Sequence, residues 1–440
     1  MAPAWDGSSY AAGLLRDLGA SAPAISDLGH PAERWARSGN MALTGYAADE
    51  AQMCPVPLAT QADSIAATLA ALAGTVLPRG AELLAERAAL AGWQRGGEVA
   101  VGRSCRFLAL ADGHLALNLA RASDWQLLPA WLEGDAPDGW EQLATALSGR
   151  ELAPTLARAR LLGLAAAALS PPALPQRAWC TEWPCRGPRA RPAAAPLVVD
   201  LSALWAGPLC THLLSLMGAR VIKVESAQRP DGARAAGSAF FDLLNGGKQS
   251  VVLDFRDGSG RAALRELLAR ADIVIEGSRP RALRQLGINA EELVSARPGL
   301  TWLAISGYGR GEEGAGWVAF GDDAAVAGGL SQVMYHSSGR LMFCGDAIGD
   351  PLTGLHAALA AWTAHRQGGG RLLSVAMSAV VARTVRDAAL GDAVQARERA
   401  AHWSARLRPS DIAAPRARMP QQAARPFGAD TTAVLTQLLR

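Results

Sequence analysis

The chain has 440 residues, half of them hydrophobic, with 43 basic and 40 acidic side chains and a formal net charge of +3. That length suggests two or three domains at ~150 residues each, and the apolar content excludes global disorder. The balanced charge speaks against a nucleic-acid protein, which would gather a basic excess into a patch.

The opening MAPAWDGSSY has neither a basic region nor an apolar one, so no signal peptide is read there. The longest mostly apolar stretch, residues 161–169, is about half of a membrane span. A cytoplasmic protein without membrane contact is expected. Residues 60–74 read as an Ala-rich helix. Residues 105–119 read as a hairpin turning at Asp112-Gly113. Helices are expected at 124–133, 140–147 and 152–169, which makes 98–169 a small α+β domain after a partly helical segment, 1–97. Residues 170–196 hold seven prolines and read as a linker, because proline forbids long helices and central strands. Cys180 and Cys185 within it form a lone C-x4-C. A zinc site needs about four ligands, so these are read as ordinary loop thiols and no metal is expected. Six cysteines, mostly far apart, make no disulfide framework.

After the linker the pattern turns α/β. Strands are expected at 197–202, 220–225, 250–255, 272–276 and 300–306. A helix is expected at 257–271, with an apolar stripe at Ala263, Leu264, Leu267 and Leu268. Pro208 suits the first turn of a helix and Gly218 its end. Short β-rich runs alternating with helices argue for an open parallel sheet covered on both faces. Such sheets bind ligands beyond the C-terminal ends of their strands. This domain spans 197–381. Residues 382–440 form a helical tail, with helices near 381–406 and 431–439.

A Rossmann-like sheet suggests a dinucleotide site, but the turn LWAGPLCTH lacks G-x-G-x-x-G. No P-loop and no G-x-S-x-G elbow is present. What is present is an ordered series. D-L-S-x-L-x-A-G-P (200–208) precedes M-G-A-R-V-I-K-V-E (217–225) and L-N-x-G-K-x-S-V-x-L-D (244–254). A-D-I-V-I-E-x-x-R-P (271–280), L-x-Q-L-G-I (283–288), I-S-G-Y-G (305–309) and G-D-P-L-T-G-L (349–355) follow. Over roughly 196–381 this resembles the class III CoA-transferases, a group that includes formyl-CoA and succinyl-CoA transferases and 2-methylacyl-CoA racemases.

The resemblance implies a chemistry with no cofactor beyond coenzyme A, which enters as the acyl-CoA substrate. An aspartate attacks the thioester carbonyl, and CoA passes to an acceptor carboxylic acid through a covalent aspartyl intermediate. The matching residue here is Asp350. Its local setting carries two readings. Asp350-Pro351 opens a helical run, and Asp before Pro is a favoured structural cap. The same helix N-terminus favours the ionised carboxylate that a nucleophile needs. Asp322 and Asp323 are the competing carboxylates. The family's racemases carry His at the place of Asp322, so its absence counts against racemisation. His356, six residues after Asp350, falls about 240° around the helix and is read as a packing or surface residue.

The resemblance places CoA contacts in the loops after successive strands: Ala206, Ser226, Arg229, Arg234, Leu244, Asn245, Gly277, Ser278, Arg279 and Ser306. Arg229 and Arg234 sit in the kind of loop that meets phosphate. Lys223 and Lys248, the chain's only lysines, also fall inside family blocks. Trp205 stands where formyl-CoA transferase-like members carry Gln, Gln285 where many have Arg, and Gly277-Ser278 replaces Asn-Phe. These departures leave donor and acceptor open.

The order of parts is also unusual. The small domain precedes the linker, and residues 35–74 echo 322–362, with Thr60 opposite Asp350. This reads as an internal duplication: a first unit without its nucleotide-binding half and a second without its small domain. A homodimer is an open expectation, since family members interlock. The leading reading is a CoA-transferase; the alternatives are an acyl-CoA racemase or isomerase, and a non-catalytic CoA-binding protein.

Overall fold

The computed structural model describes residues 8–169, 178–235, 238–278, 280–311 and 314–438. The hairpin forms where alternation placed it. β1 (Cys105–Leu110) and β2 (Gly113–Asn118) pair antiparallel, with Leu110 opposite Gly113. The turn is therefore Ala111-Asp112, one residue earlier than expected. Asp112 also anchors the next layer, since its carboxylate accepts the Leu152 N–H at 2.7 Å, at the start of the helix Leu152–Leu162. Gly113 packs against that helix, where an added Cβ would lie 2.9 Å from Leu152 Cδ2.

The helix expected over 152–169 ends at Leu162. Gly163 takes φ +81°, and the alanine run becomes β3 (Ala165–Ala168), antiparallel to β2. Alanine favours helix by propensity, but the open edge of β2 offers partners for its backbone groups. The small side chains also let the helix Gly321–Ala327 pack directly on β3. The expected helix at 124–133 is likewise two short pieces, Ala122–Trp125 and Leu128–Leu132.

The Pro-rich stretch contributes a strand. β4 (Cys180–Arg186) takes the edge of the large sheet, antiparallel to β10 (Arg371–Ala376). Pro184 is tolerated there because no second neighbour needs its missing N–H. The other strands are β5 (Leu197–Leu201), β6 (Arg220–Ser226), β7 (Gln249–Leu253), β8 (Ile273–Glu276) and β9 (Thr301–Ser306). The seven strands run in the order β4-β10-β9-β8-β5-β6-β7, and from β10 to β7 all are parallel. From β5 the chain first adds strands on one side, then crosses to β8 and adds on the other. This is the doubly wound order, and its switch point opens a crevice at the ends of β5 and β8.

Two helices hold that crevice. Ala206–Leu216 follows β5 and packs along Gly349–Arg366. The second is buried from Pro351 through His365, on all sides, as a central core helix must be. The contact is close because Gly354 has no side chain: a Cβ there would lie 2.8 Å from Ala206 O and 3.0 Å from Leu209 Cβ. The tail differs from expectation. Instead of one helix over 381–406 there are two, Met377–Asp387 and Ala393–Ser404. Ala389 takes φ +50° between them, and Asp392 caps the second by accepting the Gln395 N–H at 2.9 Å. Among the described residues no helix is long and apolar enough to cross a membrane.

Both lysines are struts under the β5 loop. Lys248 Nζ bonds Asp200 Oδ2 (3.1 Å), Thr211 Oγ1 (2.7 Å), Pro208 O (2.9 Å) and Asn245 Oδ1 (3.0 Å). Lys223 Nζ bonds Ser202 O and Asp231 Oδ2, each at 2.9 Å. Asp231 Oδ1 in turn accepts the N–H of Leu204, a residue held at φ +69°. Burial alone would raise the Asp200 pKa. Lys248 and Lys223, with the Ser202 and Thr211 hydroxyls, overcome it and hold the carboxyl well below the usual range. Asp200→Ala leaves these buried ammonium groups short of a counter-charge. It should cost about 3–5 kcal/mol in a urea unfolding titration; a loss under about 1 kcal/mol would show that the network is not a strut.

Candidate active site

Asp350 does not cap its own helix. Ile348 is the cap residue, and Asp350 lies inside the first turn, its N–H bonded to Ala347 O at 2.8 Å. Its half-buried carboxylate is turned toward other elements. Oδ2 accepts the N–H of Gly321, the first residue of Gly321–Ala327, at 3.0 Å. The backbone N–H of Ala206, first residue of Ala206–Leu216, also faces this carboxylate and favours its charged form. Two helices that begin at Asp350 thus aim their opening N–H groups at it. Such groups favour the charged form.

Glycine makes the approach possible. A Cβ on Gly321 would lie 2.5 Å from Asp350 Oδ2 and 2.1 Å from Ala347 O, and one on Gly349 would lie 2.6 Å from Gly321 O. Ala347, between them, is held at φ +40°, where a side chain is strained. Its N–H is fixed by Asp322 Oδ1 at 3.0 Å.

Around Asp350 the fold gathers three more carboxylates and one guanidinium. Asp346 is fully buried and takes a two-bond clamp from Arg87, Nε to Oδ2 at 2.9 Å and Nη2 to Oδ1 at 2.5 Å. Arg87 also lies over the rings of Trp205 (5.0 Å) and Trp93 (5.3 Å). Asp323 Oδ1 accepts the Phe320 N–H (3.0 Å) and the Asn118 Nδ2 (3.2 Å), so β2 of the small domain reaches the site. Burial pushes Asp350 up to about 6, against the Arg87 charge and the two N–H groups. Burial and then repulsion from Asp346 take Asp322 to about 7, and burial takes Asp323 to about 8.

The residues expected to meet CoA divide. Ala206, Gly277 and Ser278 flank the switch-point crevice; an added Cβ on Gly277 would sit 3.6 Å from Ser202 Cβ. Ser278 Oγ is buried with no hydrogen-bond partner among the described residues. Ser306 ends β9, and its Oγ accepts the Gly309 N–H at 3.0 Å. Ser226 ends β6, and Arg229 just beyond it is exposed. Arg234, in contrast, is not a free cation. Its guanidinium is committed to Glu225, with Nη2 to Oε2 at 2.7 Å, and stacks 4.1 Å over Phe241. The side chains of Leu244 and Asn245 are buried, and Asn245 is a partner of Lys248. The lysines too are inward, as described above. Arg279 lies outside the described residues. His356 is a packing residue, fully buried between Tyr10 Oη (2.8 Å) and Leu352 O (2.7 Å).

Sequence reasoning missed Arg87 and Asn118. Neither lies in a motif, and each reaches the site across more than two hundred residues. Trp205 was noted, and the structure shows what it does: the ring is buried, edge-on to Phe240 at 5.3 Å, with Arg87 above it. Its Nε1 has no hydrogen-bond partner among the described residues.

A carbodiimide labels protonated carboxyls, so Asp350 labelling, read by peptide mass spectrometry, should fall as pH rises, with its midpoint near 6. Gly321→Ala forces its N–H away from Oδ2 and should move that midpoint upward. An unmoved midpoint would mean that the Gly321 N–H does not set the ionisation of Asp350.

Residues 196–414 match the family model described as CoA-transferase family III. Among similar curated proteins are a succinyl-CoA–D-citramalate CoA-transferase of Chloroflexus aurantiacus and a formyl-CoA:oxalate CoA-transferase of Afipia carboxidovorans. The first is 32% identical over 196 residues, 42% of this chain and 49% of that protein. The second is 33% identical over 193 residues, 41% of this chain and 45% of that protein. The chain thus spans about half the length of the curated relatives it matches. A solved structure of a hypothetical protein from Mycobacterium tuberculosis is 29% identical, with a TM-score of 0.40 over 44% of this chain and 56% of that one. Through its residues 196–414, which carry β5 to β10 and the Asp350 helix, the chain belongs to CoA-transferase family III.

Proposed function

We propose that the chain is an acyl-CoA:carboxylate CoA-transferase in which Asp350 is the nucleophile. One observation carries the reading. Asp350 is a half-buried carboxylate that caps nothing in its own helix and faces the opening N–H groups of two other helices, one of them the helix that follows β5 at the crevice where a doubly wound sheet binds its ligand. In the first step its oxygen attacks the thioester carbonyl. The C–S bond breaks, CoA leaves as the thiolate, and an aspartyl–acyl anhydride remains. The thiolate then attacks the aspartyl carbonyl, releasing the donor acid and leaving an aspartyl–CoA thioester. The acceptor carboxylate attacks that thioester, giving a second anhydride and free thiolate. Attack of the thiolate on the acceptor carbonyl yields the new acyl-CoA and restores Asp350.

The residues fit these needs. The Gly321 and Ala206 N–H groups steady negative charge where it develops. Burial raises the carboxylate's basicity without protonating it at neutral pH, since its pKa is about 6. Exposed Arg229, and the exposed backbone at Ala203, Leu204 and Gly277 just beyond β5 and β8, suit the polar parts of CoA. The relatives' names mention succinyl-CoA, formyl-CoA, oxalate and citramalate, so short acyl groups and small carboxylic acids are the substrate class to try first. The proposal includes a cytoplasmic setting and no cofactor beyond coenzyme A.

A second reading rests on Asp322. Its pKa of about 7 beside Asp350 makes two carboxyls of different ionisation, which could pass a proton at an acyl α-carbon as a racemase does. Deuterium uptake from heavy water into a recovered acyl-CoA, without transfer to any acid, would favour it.

Incubation with a panel of acyl-CoAs should give a protein adduct that hydroxylamine removes and that maps to Asp350. Asp350→Ala should lose the adduct and roughly 10³-fold or more of turnover. Because the carboxylate is the reacting form, kcat/KM should fall as pH drops through about 6. CoA binding with neither adduct nor transfer for any donor would sink the transferase reading and leave a non-catalytic CoA-binding protein.

A further inference from the structure

Arg87 lies in the first hundred residues, outside the segment that matches the family. Yet it sits at the centre of the site. Its clamp on Asp346 uses Nε and Nη2, while its face covers Trp205, the residue immediately before Ala206, whose N–H faces Asp350. The neighbouring Glu86 is itself fixed. Arg418 bonds both of its oxygens and reaches His212 Nε2 at 3.1 Å. His212 lies on Ala206–Leu216, so the backbone carrying Arg87 is tied to the helix that begins beside Asp350. The charged groups facing Asp350 are Arg87, Asp346 and Asp322, with Asp323 next to Asp322. One guanidinium thus stands among four carboxylates.

We propose that Arg87 is a positioning residue of this centre: it fixes Asp346 and the Trp205 indole beside Asp350, so that a segment outside the family match completes the site within the same chain. The assignment rests on Asp350 being the reactive carboxylate. The guanidinium suits this role because its planar fork holds Asp346 by two bonds while its face stays on the indole. Lysine supplies the charge without the fork.

The test uses the full chain and needs no substrate. Carbodiimide labelling of Asp350 is followed against pH in the wild type, Arg87→Met and Arg87→Lys, with folding checked by circular dichroism. Removing the cation should raise the labelling midpoint by about one pH unit or more, a tenfold change in the ionisation constant. Arg87→Lys should restore most of that shift. With an acyl-CoA that labels the wild type, Arg87→Lys should still form adduct at least tenfold more slowly, with KM little changed, because the clamp on Asp346 is lost. Midpoints that agree between wild type and Arg87→Met overturn the proposal. Should Arg87→Met not fold, Asp346→Asn serves instead: it removes a negative neighbour and should move the midpoint down, and no movement again overturns the assignment. If the midpoints move as stated while no acyl-CoA ever labels the wild type, the transferase reading fails and the role of Arg87 stands.

Discussion

Three backbone approaches, each possible only at glycine, set up this site. Gly354 lets the central helix touch the start of Ala206–Leu216, and Gly321 and Gly349 let two further segments meet without side chains between them. A Cβ at any of these positions would come closer than 3.0 Å to a backbone oxygen. Together these approaches have a consequence for charge: they set the opening N–H groups of two helices, at Gly321 and Ala206, against a half-buried carboxylate. Packing and electrostatics are therefore one constraint here.

Burial pushes both of two carboxylates in this chain upward in pKa, and their neighbours decide whether it wins. Asp200 and Asp322 are both almost fully buried. Asp200 has two ammonium groups and two hydroxyls, so its charge is held and its pKa falls well below normal. Asp322 has one guanidinium, shared with Asp346, and faces further carboxylates; burial dominates and its pKa rises to about 7. Asp350 falls between, at about 6, with two N–H groups and partial use of the same guanidinium. One pKa unit is about 1.4 kcal/mol. The ordering within the cluster therefore reflects small free-energy differences between burial, which raises all three, and the guanidinium and hydrogen-bond donors that oppose it.

Much of this was legible before the structure. The strands β5 to β9 sit where short β-rich runs placed them, because a doubly covered parallel strand must be apolar along its length. The local sequence suggested that Asp350 caps its helix, and only the fold shows that it lies inside the first turn, with Ile348 at the cap position and no side-chain cap bond there. The failures share a cause. Residues 165–168 have helix-forming side chains, and only the edge of β2 makes them a strand. Residues 180–186 look like linker, and only β10 makes them a strand. Arg87 and Asn118 look like any surface Arg and any hairpin Asn, and only contacts with Asp346 and Asp323 distinguish them. Local sequence does not encode partners hundreds of residues away.

The N-terminal half invites a last step. The helix Leu58–Ala73 packs against Gly349–Arg366. Thr60, which the sequence echo sets opposite Asp350, is buried there, its hydroxyl without a hydrogen-bond partner among the described residues. Cys54 and Cys344 stand at equal distances ahead of Thr60 and Asp350, and their side chains lie within hydrogen-bonding reach of each other. What the N-terminal half contributes to the site is steric and electrostatic: a helix packed on the central one, a hairpin that sets Asn118 against Asp323, and Arg87 among the carboxylates of Asp346, Asp322 and Asp350.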